Sequence, residues 1–204
     1  MSAPANASRF ERAIAEIDRL NAADPRRETA DGVSRPREVL YSERLSAGLA
    51  QLYPEASESL RLAARAQHIC RWQIARDSYP LGRQGYNAWR TACRQLHADL
   101  VTGILTDCGY PAEQISHVVK LIKKQDLKSD AESQALENAV GVVFVAHYLA
   151  AFIDAHSHYD DEKLLGILSK TMRKMDHTGH AAIAALDVTA SISRLLTRSA
   201  NNDR

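Results

Sequence analysis

Phe10, Ile14, Ile17 and Leu20 recur at three- and four-residue intervals behind Ser8 and Glu11, whose spacing is that of a helix capping box. The same periodicity returns along most of the chain. It predicts a second helix over about 37–52, with Val39, Leu40, Leu45, Leu49 and Leu52 as its apolar stripe, and a third from near Glu55 through His68. A fourth carries Trp89, Leu96, Leu100 and Ile104 and ends at Gly109, in the position of a C′ glycine. Pro111 opens a fifth with Ile115, Val118, Val119 and Ile122 inside. Ser129 and Glu132 form another capping box, opening a sixth helix that continues to about Asp154, and two more follow near 160–175 and 179–197. No convincing period-two stretch appears, so any sheet is expected to be a token hairpin at most. The segment with Pro25, Gly32 and Pro36 reads as a surface loop or flap. The expectation is an all-α protein of about eight helices.

Length fits that picture: 204 residues make one helical domain, 1–204, with residues 1–7 and 199–204 expected as disordered tails. There is no internal repeat. With 26 basic against 25 acidic side chains, no global field draws the chain to nucleic acid or to a membrane, so any anion site must be local. Cys70, Cys93 and Cys108 show neither disulfide-framework nor zinc spacing, and no apolar run is long enough to span a bilayer. The expected location is the cytoplasm.

Against this neutral background, residues 68–90 stand out. The segment HICRWQIARDSYPLGRQGYNAWR holds both tryptophans, Trp72 and Trp89, and Arg71, Arg76, Arg83 and Arg90, with Asp77 as its one acid. Arginine forks suit phosphate or carboxylate, aromatic faces suit a base or sugar, and glycines allow close backbone approach. If the third helix runs through His68, Ala64, His68, Arg71 and Ala75 line one face and Trp72 buttresses the imidazole. On the fourth helix, Tyr86, Arg90, Cys93 and His97 share a face. Packed as neighbours, the two helices would flank a cleft with His68 and His97, rimmed by the arginines. Tyr79, Tyr86 and Trp89 complete the ligand-binding set with Arg71, Trp72, Arg76, Arg83 and Arg90. The opposing reading is a loop folded on itself by cation–π contacts and ion pairs. Glu137, in the middle of an apolar helix, needs a cation or a hydrogen-bond partner. Lys120, Lys123 and Lys124, the histidines and acids of 156–161, and His177 and His180 read as solvated surface.

The run RFERAIAEID, PREVLYSERL, LRLAARAQHICRW, RDSYP with GR, GY and WR at fixed spacing, and the later LE, VF and HY, resembles the uncharacterised family called domain of unknown function forty-two-oh-two, from about Arg9 to Ala185. Some of its members carry the label glutamyl-tRNA synthetase-like, an activity that needs a parallel-sheet nucleotide fold this chain lacks the strands to build. The helix order also resembles a diverged HD-type metal-dependent phosphohydrolase. LRLAARAQHI resembles the helix that ends in the His-Asp dyad, with Gln67-His68 in its place. Tyr41 and Ser42 stand where the first ligand would be, and Glu137-Asn138 where the last carboxylate would be. That resemblance implies a divalent metal on His68, His97 and Glu137 activating water, with arginines holding the phosphoryl oxygens. Without metal, His68 or His97 would be left as general acid. The function expected is binding or hydrolysis of a small phosphorylated, nucleotide-like molecule. The alternative is a non-catalytic helical interaction or RNA-binding protein.

Overall fold

The Ser8 hydroxyl accepts a hydrogen bond from the Glu11 amide (3.2 Å), and the Glu11 carboxylate accepts one from the Ser8 amide (2.8 Å), so helix α1 (Arg9–Asn21) starts at its capping box. The computed structural model describes residues 7–188 and 190–201. Among these residues the chain forms ten α-helices and one two-stranded antiparallel sheet, an essentially all-α fold. They divide into two compact units, one made of the chain up to Ala47 with Glu55–Gln125, the other of Gly48–Pro54 with the chain from Asp126 onward.

In the first unit, the segment expected as a bare loop holds a hairpin, β1 (Arg27–Ala30) paired with β2 (Val33–Pro36). Its turn residues Asp31 and Gly32 both have positive φ, 51° and 76°, the primed turn that an Asp-Gly pair favours. That dipeptide was the signal for it. Helix α2 (Arg37–Leu52) follows directly, and α3 (Glu58–Ala66) is capped by Ser57, whose hydroxyl accepts from the Leu60 amide. Here the expectation of a helix through His68 is corrected: α3 stops at Ala66, and the chain turns through 67–70. Cys70 takes a left-handed conformation, φ 53°, and its amide donates to the buried Asn21 side chain at the end of α1. Two short 3-10 turns, Arg71–Gln73 and Arg76–Ser78, lead to the long helix α4 (Gly82–Asp107). α4 ends as expected at Gly109, φ 82°, with the Tyr110 amide reaching back to the Leu105 carbonyl. After Pro111, α5 (Ala112–Lys123) packs against both α3 and α4, and Ile17, Leu62, Ile69, Val101, Leu105, Val118, Leu121 and Ile122 are sealed from solvent.

The second unit departs from expectation at its helix ends. Asp130 caps α6 (Ala131–His147) by accepting from the Ser133 amide, in place of the Ser129–Glu132 box. The long sixth helix breaks at Tyr148, beyond which α7 (Leu149–Ala155) bends away by 60°. The expected last two helices are three, α8 (Asp161–Met172), α9 (His177–Ala184) and α10 (Ala190–Asn201), which together with the break at Tyr148 makes ten helices where about eight were expected. Asp160 and Asp176 cap α8 and α9 with their side chains. A cluster of Val145, Leu149, Leu165, Leu168, Met172, Ile183 and Leu195 forms the core. α10 runs to Asn201, and the buried Ser199 hydroxyl meets that of Ser169 at 3.2 Å. The remainder of the expected tails, 1–6 and 202–204, lies outside the described residues. Among the described residues no single helix is long and apolar enough to cross a membrane.

Candidate functional site

Ending α3 at Ala66 places His68 on a turn, where its ring is reached by groups from three directions. Tyr41 of α2 stacks on it face to face, centroids 4.0 Å apart and planes within 14°. The Glu38 carboxylate, also on α2, lies 3.7 Å from Nδ1. Arg71 Nη1 lies 2.8 Å from Nε2 and 3.2 Å from Nδ1. The sequence paired His68 with Trp72 at helical spacing; because the helix has already ended, the stacking ring is that of Tyr41, and Trp72 sits half-buried on the 3-10 turn.

Helix α4 supplies the opposite wall. Gly85, Trp89, Cys93, His97 and Val101 recur every four residues and are all buried. His97 is 2 % exposed and its ring lies 6.0 Å from that of His68. Trp89 takes the Arg71 guanidinium over its face at 4.6 Å and donates its Nε1–H to the Ile74 carbonyl at 2.9 Å, which fixes the turn carrying Arg71 onto the helix. Thus His68, Arg71 and His97 lie together within the first unit, whereas Arg90, expected in the same cleft, approaches the Tyr86 ring.

The electrostatics follow from burial beside arginine. Burial, then Arg71, His97, Lys124 and Arg37, push the His68 pKa well below its ordinary 6.5, although a fifth of the side chain, 22 %, still meets solvent. Burial and Arg71 bring His97 down to about 3, against a small upward pull from the Gln67 main chain. Both imidazoles are therefore neutral at physiological pH. Arg71 Nη1 is within 3.2 Å of both ring nitrogens, which sets the guanidinium over the imidazole of His68 rather than along one lone pair. Burial raises the Glu38 carboxyl despite Arg71 and Arg26, the latter donating to it at 2.6 Å. Asp24 ties this side together: burial pushes its carboxyl up, but hydrogen bonds from Arg26 and from the Glu38 amide outweigh that and hold it low. Cys93 is close enough to interact with Arg71, yet burial raises its thiol, as burial also raises Cys70, to about 11, so neither is an activated nucleophile.

Within this shell some polar atoms stand alone. The ring nitrogens of His97 make no well-formed hydrogen bond among the described residues, the Gln67 main chain being close enough only to pull on the ring, and Gln67 Oε1 and Asn21 Nδ2 are unsatisfied too. An orphaned buried nitrogen is costly, about 1–3 kcal/mol, and calls for a bound molecule or a role.

The remaining expected site residues are spent on the loop itself. Arg76 donates to the carbonyls of Tyr79 and Pro80. Arg76 and Arg90 both approach the Tyr86 ring, at 5.8 and 5.7 Å, and Tyr86 in turn lies 5.8 Å from Trp89. Arg83 projects into solvent, and Tyr79 is half-buried. Glu137 belongs to the second unit, where it is buried with Lys174 Nζ 3.8 Å from its carboxylate. The residues present do not fit a divalent cation. Among the described residues no group of three or more His, Cys, Asp or Glu side chains could hold a metal ion, and both ring nitrogens of His68 lie beside a guanidinium. The expected ligand set of His68, His97 and Glu137 is corrected on those two grounds. Glu38 and Tyr41 are the partners that sequence reasoning missed. Glu38 carried no signal beyond a carboxylate just ahead of the α2 stripe, and Tyr41 was marked only as standing where an HD-type ligand would fall.

No curated protein and no solved structure matches the chain. A family model does, over residues 11–196: the chain belongs to the family described as Domain of unknown function (DUF4202).

Proposed function

We propose that the first unit binds a small phosphate-bearing molecule at the cluster of His68, Arg71 and His97, and that any hydrolysis of that molecule proceeds without a metal ion. The observation that carries this reading is the Arg71 guanidinium set against the His68 ring and over Trp89, with the buried His97 ring 6.0 Å from that of His68. Phosphate oxygens satisfy a guanidinium fork and an imidazole N–H together. Tyr86, 43 % exposed and flanked by Arg76 and Arg90, offers a face for the organic part of a nucleotide-like ligand. The resemblance to diverged HD-type phosphohydrolases supports ester hydrolysis as the activity, with arginine supplying the charge stabilisation. Free, high-pKa cysteines are in keeping with a cytoplasmic protein.

The test is titration calorimetry with inorganic phosphate, a nucleoside monophosphate and the matching nucleoside. Phosphate-bearing ligands should bind and the nucleoside should not. Arg71→Gln should lose at least about tenfold in affinity, near 1.4 kcal/mol. Equal binding by parent and Arg71→Gln would overturn the reading, and ester hydrolysis abolished by a chelator would restore the metal.

A second reading is favoured by one observation. Leu81 is 94 % exposed, at the start of α4 beside Arg83 and near Tyr86. Such a tip suits a macromolecular partner such as single-stranded RNA, whose binding would weaken with salt and with Tyr86→Ala.

A further inference from the structure

His68 lies among more cations than the one that touches it. Arg37, the first residue of α2, stands four residues before Tyr41, so the two share one face of that helix, and Tyr41 stacks on the imidazole. Arg71 lies against the same ring, with Nη1 within 3.2 Å of both nitrogens. Lys124, half-buried, ends α5 in a left-handed conformation, φ 56°. Burial, then Arg71, His97, Lys124 and Arg37, set the field at the ring, and every one of them opposes a positive charge there. Glu38 does not reverse this at 3.7 Å, because Arg26 donates to its carboxylate at 2.6 Å. The imidazole keeps 22 % of its side chain in contact with solvent, so an anion can reach the ground between these cations.

We propose that Arg37 and Lys124 join Arg71 in a cradle for two linked phosphates, which makes a diphosphate ester the ligand class of this site. The proposal rests on phosphate binding at Arg71 and goes further by naming what else the ligand carries. Arg71, packed on the rings of His68 and Trp89, keeps in-plane N–H donors for one phosphate. Arg37 and Lys124 come from two other elements, the start of α2 and the end of α5. One phosphate is already served by a guanidinium fork and an imidazole, so two further cations about the same ring exceed its need. Like charges gathered at a partly buried site repel one another until an anion enters. A diphosphate carries more charge than a single phosphate and reaches farther, and so meets cations set on three elements. Arg76, Arg90 and Tyr86 remain for the organic part of the molecule.

The experiment is titration calorimetry on the full chain, comparing inorganic phosphate with inorganic diphosphate at one ionic strength and without divalent ions. The parent should bind diphosphate at least about tenfold more tightly than phosphate. In Arg37→Gln and in Lys124→Gln that ratio should fall by at least about threefold. Arg71→Gln should weaken both anions. Lys170→Gln removes one charge from the exposed surface of α8 and should leave the ratio as in the parent. Thermal melts check that each variant is folded. Arg37 is exposed, so Arg37→Gln decides the matter if Lys124→Gln melts early. Equal affinity of the parent for the two anions overturns the diphosphate cradle and leaves the phosphate site standing. So does an unchanged ratio in Arg37→Gln, or a ratio lowered as much in Lys170→Gln. A parent that binds neither anion overturns the phosphate site, and the cradle with it.

Discussion

A Cβ atom on Gly85 would lie 1.9 Å from the carbonyl oxygen of Pro80. That separation is far below any contact a side chain can make, and its partner is backbone, so the close approach of the loop to α4 depends on this glycine. The loop so held carries Arg76, which caps the same Pro80 carbonyl. Gly85→Ala should destabilise the protein by about 1–3 kcal/mol, through displacement of a packed segment. The readout is the urea midpoint at unchanged slope. A midpoint equal to the parent's would show that the loop does not need this contact.

His97 is buried and its ring nitrogens are poorly hydrogen-bonded, so its imidazole adds little to the fold. Replacing it with Leu, of similar volume and no polar atoms, should leave stability unchanged or raise it by about 1 kcal/mol. Phosphate affinity should fall in the same variant. A large loss of stability would place His97 among the structural residues.

Acid should weaken the fold well before the carboxylates titrate. His97 has a folded pKa of about 3 and an ordinary value of 6.5, so the unfolded chain takes up the proton first as pH falls. The stability that the neutral ring contributes is complete above pH 6.5 and is lost as pH drops towards about 3. His68 shifts in the same direction. The slope in that window should be about 1.4 kcal/mol per pH unit for each histidine. Glu38 acts the other way, its raised carboxyl adding stability at low pH that is lost as pH rises through its folded value. Denaturation curves from pH 7 to 5 measure the slope, and His97→Leu should remove its share.

Asn138 has no exposed surface, and its amide is fully used. It donates to the Tyr53 hydroxyl and to Asp176 Oδ1, both at 2.7 Å, and accepts from the Asp176 amide and Gln134 Nε2, both at 3.1 Å. Asn138→Leu should cost about 2–4 kcal/mol by stranding these groups at the N-terminus of α9. Burial alone would raise the Asp176 carboxyl, but hydrogen bonds from Asn138, Gly179 and Thr178 hold it low. In the variant its pKa should therefore rise, which carbon-detected resonance of Asp176 would show. An unchanged Asp176 titration would count against the network.

The arginines of the loop should separate by role. Arg76→Ala removes the clamp on the Tyr79 and Pro80 carbonyls and should lower stability by about 1 kcal/mol. Arg83, exposed on the first turn of α4, should tolerate Ala within about 0.5 kcal/mol. Thermal melts of the two variants side by side decide this, and equal losses would contradict the assignment.

The sequence by itself determined what short-range chemistry controls. Ser8 and Glu11 set the start of α1, Gly109 ended α4 and Pro111 preceded α5, because capping and backbone preferences act within a few residues. It also marked His68, Arg71, Trp89 and His97 as candidates for one site, since arginine and aromatic residues concentrated in a single segment of a neutral chain. Tertiary structure decided the rest. The helix written through His68 stops at Ala66 because Asn21, on α1, secures the left-handed turn at Cys70. Tyr41 and Glu38 meet His68 only because α2 packs beside that turn, and no local periodicity encodes which helix will be the neighbour. The aromatic and basic side chains could equally have faced a ligand or each other. Arg71 over Trp89, and Arg76 and Arg90 about Tyr86, were settled by the close approach of loop and helix at Gly85, a contact made by packing that no spacing in the sequence displays.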